Sequence, residues 1–106
     1  MDYSSDPPFA EKILAATEFL NSEADILVED LKDSFYHSLK NKYSYSGFYK
    51  GAFESGIEMR MRDSLRRTLT SRLNLTPEEG LVMVGEKPIS EMMSIIIERS
   101  LQDGSN

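Results

Sequence analysis

The chain is predicted to be all-α, a small bundle of four to five helices whose apolar last helix would also suit a dimer. Three observations predict it. Apolar residues recur every three or four positions along most of the 106 residues. Proline, once preceded by a capping threonine, opens three of the segments (Pro7-Pro8, Thr76-Pro77, Pro88). The one strand-like run, Leu81-Val82-Met83-Val84, has no second strand to pair with.

The elements follow in order. Pro7-Pro8 suits a first helical turn, and Phe9, Ile13, Ala16 and Leu20 form one face of a helix over 8–21. Asn21-Ser22 interrupts it, and Ser22 with Asp25 three residues on resembles an N-capping arrangement. Leu27, Leu31, Phe35 and Leu39, flanked by Ile26 and Val28, predict a second helix over 23–41. Its other face carries Glu23, Asp25, Glu29, Asp30 and Asp33, crowded into the half that the helix dipole favours for carboxylates.

The segment Tyr43-Ser44-Tyr45-Ser46-Gly47 reads as a break. After it Tyr49, Phe53, Ile57, Met61, Leu65, Leu69 and Leu73 recur at a period of four, predicting a helix over 47–74. That period overshoots 3.6, so the stripe drifts by about 40° per step. The helix must either bend near Gly56 or present its two halves to different neighbours, and the second reading is preferred. Gly47, Gly51 and Ser55, with Ala52 and Gly56, form small-residue rows that would let another helix approach. Thr76, Pro77 and Glu79 spell a capping box for a short helix over 77–84. Pro88 opens the last helix, 88–102, with Ile89, Met92, Met93, Ile96 and Ser100 on one face; Ile95 and Ile97 widen the apolar arc, so this helix is either central or shared with a second subunit. One domain spans 1–106, with 1–6 and 103–106 as frayed ends.

Charge is sorted along the chain. The net charge is −6, yet five of the six arginines (Arg60, Arg62, Arg66, Arg67, Arg72) fall within thirteen residues. Residues 1–36 carry two positive and nine negative side chains, 37–72 eight and three, and 73–106 two and six. The middle segment must therefore attract something anionic: the chain's own acidic flanks, a partner protein, or nucleic acid. At 100° per residue, Arg60 and Arg67 flank the apolar arc of 57–73 on one side. Arg62 and Arg66 take the other side, with Met59, Asp63 and Thr70 between the pairs, while Arg72 falls back toward the arc and snorkels at its edge.

Much chemistry is missing. There is no cysteine, so disulfides, thiolate nucleophiles and cysteine-ligated metals are excluded. One histidine, His37, cannot build a typical zinc site, and no phosphate loop, dinucleotide fingerprint or nucleophile elbow is present. Asp33 and His37 at i, i+4 form a candidate dyad that also reads as an ordinary exposed pair. No enzymatic activity, cofactor or metal is expected, nor a membrane span, since no apolar run exceeds the four residues of Ile13-Leu14-Ala15-Ala16 or Leu81-Val82-Met83-Val84. The acidic start is unlike a secretory leader, and the cytoplasm is the expected compartment.

The expected function is a protein-binding module, acting as regulator, adaptor or assembly subunit and able to self-associate. Its expected contact surface is Arg60, Arg62, Arg66 and Arg67 with Tyr43 and Tyr45, residue types enriched at binding hot spots. Two alternatives share the fold. The basic 57–72 helix could bind nucleic acid, with nearby tyrosines stacking on unpaired bases. The acidic 23–33 face could instead mimic nucleic acid and occupy a basic site on another protein.

Overall fold

The computed structural model describes residues 7–41 and 47–103, and among them every regular element is helical. The ends expected to fray at 1–6 and 104–106, and the expected break at 43–46, lie outside the described residues. Six helices follow one another: α1 (Pro7–Ser22), α2 (Ala24–Ser34), α3 (Tyr36–Asn41), α4 (Gly47–Arg72), α5 (Pro77–Met83) and α6 (Lys87–Asp103). Asp103, expected to be frayed, is the last residue of α6.

The count exceeds four to five because the single helix expected over 23–41 is two. Phe35 leaves the helical region at φ −111°, ψ 21°, and divides α2 from α3. It sits in the run Ser34-Phe35-Tyr36-His37-Ser38, five residues of mediocre helix propensity in a row. The backbone ladder nevertheless survives: Phe35 N–H donates to Leu31 O at 3.0 Å, and Leu39 N–H to Phe35 O at 2.9 Å. The α1–α2 junction is built alike. Glu23 (φ −104°, ψ 12°) takes the N-cap position with no side-chain bond, while its own N–H still reaches Phe19 O at 2.9 Å. Ser22 is therefore not the cap; its hydroxyl donates backward to Phe19 O at 3.3 Å. The first three helices follow one another as one ribbon, interrupted at Glu23 and Phe35, with i to i−4 bonds kept on both sides of each junction residue.

α4 runs unbroken through Gly56 for 26 residues. Ile57, Met61, Leu65 and Leu69 are buried, while Phe53 and Leu73, one drifting step further at either end, are half-buried. Three steps of about 40° span the width of an apolar arc, and a fourth falls off its edge. The two halves meet different neighbours, α6 against the first and α5 against the second. Among the described residues of the small-residue row, no helix of the chain approaches closely. Gly51, Ala52, Ser55 and Gly56 are exposed, and a Cβ built at Gly51 or Gly56 meets no atom within 4 Å.

Close approach occurs instead at Gly80, which is buried in α5 and whose added Cβ would collide with Oγ1 of Thr70. That hydroxyl donates to Arg66 O at 2.8 Å. The turn between α4 and α5 is a Schellman closure. Asn74 adopts φ 53°, Leu75 N–H reaches Thr70 O at 2.9 Å, and Leu75 is buried beneath. The capping box is complete, with Glu79 N–H donating to Thr76 Oγ1 at 3.1 Å and Thr76 N–H to Glu79 Oε1 at 3.0 Å. Glu79 also accepts from Lys12 of α1 at 2.8 Å, and these bonds hold its carboxyl below the ordinary value.

α6 occupies the centre and packs against α1, α2 and α4. Ile89, Met93, Ile96, Ile97 and Ser100 are buried, and the Ser100 hydroxyl is satisfied by Ile96 O at 2.8 Å. The molecule is elongated, 47 × 25 × 19 Å, with a radius of gyration of 14.8 Å. A compact domain of this length has about 13 Å.

Candidate interaction surface

Arg60, Arg62, Arg66 and Arg67 lie along one side of α4, held there because the opposite side carries Ile57, Met61, Leu65 and Leu69 into the core. Arg60 is exposed; its guanidinium lies 5.6 Å from the centroid of the Phe35 ring and donates to Ser38 Oγ at 3.4 Å. Arg62 crosses to α6 and donates to Ser94 Oγ at 2.8 Å. Arg66 places two donors on Asp63 Oδ1, at 3.2 and 2.6 Å, and Arg67 reaches Asp63 Oδ2 at 2.8 Å. The bond from Arg66 is the largest influence on the Asp63 carboxyl and, with the charges of Arg67 and Arg66, holds it below its ordinary value against desolvation, the second-largest effect. Arg72 does turn toward the apolar side, stacked 4.8 Å over the Phe19 ring. Tyr43 and Tyr45, the other expected contact residues, lie outside the described residues.

Electrostatically the face stays positive. None of the five arginines reaches a carboxylate of 23–33 within ion-pair distance, although five acids stand there for five arginines. Three have neutral partners, and the other two share one aspartate of their own helix. On α2, Asp25 pairs with Arg99 of α6 at 2.9 Å and Glu29 with Lys32 at 3.3 Å, while Asp30 and Asp33 remain exposed.

Each charged face surrounds an exposed apolar side chain. Met59 is 74% exposed, with Arg60 and Arg67 to one side and Arg62 and Arg66 to the other. On α2 it is Ile26, 58% exposed and one turn ahead of Asp30. Ile26 had been expected to widen the buried stripe. Being one residue ahead of Leu27, it projects 100° off that side chain, away from Val28, and so leaves the core. The bend at Phe35 adds a groove of about 690 Å³ between the two faces, walled by Ser34 and Phe35 on one side and Arg60, Ser64 and Arg67 on the other. Sequence reasoning missed this groove, and the run of poor helix formers at 34–38 was the signal for it.

The candidate dyad does not form. His37 sets its ring edge-on to Tyr36, with centroids 5.4 Å apart, and makes no bond to Asp33. Among the described residues no three histidine or acidic side chains converge on a point that could hold a metal, and no helix is long and apolar enough to cross a membrane. No family model matches the chain, and searches of curated proteins and of solved structures returned no significant match.

Proposed function

We propose that the protein is a protein-binding module, a regulator, adaptor or assembly subunit, whose contact surface is the α4 face of Arg60, Arg62, Arg66 and Arg67 around Met59. The observation that carries this reading is the pairing pattern. The chain holds enough carboxylates on α2 to neutralise the arginines and leaves the two sets apart, so positive charge rims an exposed thioether. An apolar centre with a charged rim is the anatomy of a protein interface. Phosphate recognition needs the charge and has no use for the methionine. Association steered by such a face should slow as salt rises.

The test compares the wild-type chain with Arg66→Glu/Arg67→Glu as bait against extract of the source cells, with nuclease present. The expected result is a protein retained by wild type and lost by the variant. Loss on Glu29→Lys/Asp30→Lys instead would move the contact to the acidic face and favour mimicry. Labelled single- and double-stranded DNA and RNA, titrated at about 50 and about 200 mM salt, complete the test. Binding with a log–log slope near −4.5, as five duplex phosphate contacts would give, would transfer the function to nucleic acid.

A further inference from the structure

We propose that the partner of the arginine face is a second copy of this chain, joined across the groove at Phe35 by a two-fold axis running along it. The inference rests on the reading of that face as a protein contact surface and names what fills it. Ile26, Asp30 and Ser34 follow one another at four-residue spacing, so the acidic, apolar-centred face of α2 runs down into one wall of the groove. Met59, Arg60, Asp63 and Arg67 stand on the other wall, where Asp63 pairs with Arg67 and the strip keeps a net positive charge from Arg60. One surface thus carries a negative strip and a positive strip side by side, each with an exposed apolar residue. Rotation by 180° about the groove lays the negative strip of one copy on the positive strip of the other, twice over. Such a surface is complementary to itself, as an isologous dimer requires.

Within one copy the two strips flank the groove without meeting, and Asp30 and Asp33 take no cation there. The elongated shape leaves surface for the contact. A standard interface covers about 800 Å² per partner, and the chain exposes 6607 Å².

The test is a charge exchange read by sedimentation velocity. Wild type at about 50 mM salt should sediment at twice the chain mass of 12.1 kDa, and its dissociation constant should rise at least tenfold at about 500 mM. Arg60→Glu/Arg67→Glu makes both strips negative; Asp30→Arg/Asp33→Arg makes both positive. Each variant alone should be monomeric with a wild-type circular dichroism spectrum, and should melt cooperatively at a temperature lowered by the lost association. An equimolar mixture of the two should regain the dimer, because every contact then pairs opposite signs. A monomeric wild type, variants that still dimerise, or a mixture that stays monomeric would each overturn the proposal. A monomeric wild type that still captures a foreign protein through Arg66 and Arg67 would sink only the second copy, leaving the wider reading of the face intact.

Discussion

Replacing Gly80 by alanine should destabilise this protein, although alanine is the better helix former, and removing one distant methyl and hydroxyl should reverse the sign. In a helix interior, Gly→Ala is worth about 1 kcal/mol in favour of alanine. At Gly80 the new Cβ runs into Oγ1 of Thr70 across the α4–α5 contact. Thr70 cannot swing aside freely, because its hydroxyl is bonded to Arg66 O at 2.8 Å and its Cβ would itself lie 3.5 Å from the new carbon. Overpacking of this kind costs about 1–3 kcal/mol, so after the propensity gain Gly80→Ala should lose up to about 2 kcal/mol net. In a Thr70→Ala background the obstacle is gone and only the propensity gain remains, so the same change should stabilise by about 0.5–1 kcal/mol. The coupling between the two sites is then about 2 kcal/mol, within the range of residues in direct contact. Urea denaturation followed by circular dichroism on the four proteins of the cycle measures it. A Gly80→Ala chain more stable than wild type, or additive effects within about 0.5 kcal/mol, would refute the packing argument.

Four further outcomes are expected. Thr76→Ala removes one half of the capping box and should cost about 1 kcal/mol, near 4 °C in melting temperature; an unchanged midpoint would mean α5 starts without its cap. Gly51→Ala and Gly56→Ala, with open space around each added Cβ, should each raise stability by roughly 0.5–1 kcal/mol in thermal melts. Asn74→Ala places an ordinary side chain at φ 53° and should cost about 1 kcal/mol, while Asn74→Gly is tolerated by equilibrium unfolding. For pH, Asp63 and Glu79 both have folded values below their ordinary 3.8 and 4.5. Their stabilisation is therefore complete above those ordinary values and is lost as the pH falls through the lowered folded ones. Glu79→Gln should flatten the acid side of a plot of melting temperature against pH; an acid limb as steep as that of wild type would mean the Lys12 contact is not felt.

What the sequence made legible was whatever depends on a few neighbouring residues. Thr76, Pro77 and Glu79 specify a helix start by themselves, and the capping box forms as read. The arc of Ile89, Met93, Ile96 and Ser100 on α6, and that of Ile57, Met61, Leu65 and Leu69 on α4, follow from spacing alone. The α2–α3 bend was hidden because Phe35 and Leu39 continue the apolar stripe straight through it. Periodicity cannot register a change of axis that keeps both the stripe and the hydrogen bonds. The close approach at Gly80 went unread, and the small-residue row on α4 takes up no neighbour within the chain, for a related reason. A small residue permits close approach, and only the tertiary arrangement decides whether a neighbour takes it up. At the candidate site, helical projection placed Met59 between two pairs of arginines, as found, but could not say whether the acids of α2 would reach them. That answer depends on how helices far apart in the chain are set against each other.

The central place of α6 bears on the order in which the molecule assembles. Helical proteins tend to fold fast because their contacts are local in sequence. Here α1, α2 and the long α4 all lay apolar faces against an element beginning only at Lys87. The early helices can form and bend, but they have no shared core until that segment docks. The rate-limiting step should therefore be a long-range closure, with Ile89, Met93 and Ile96 in the transition state and the local caps formed ahead of it.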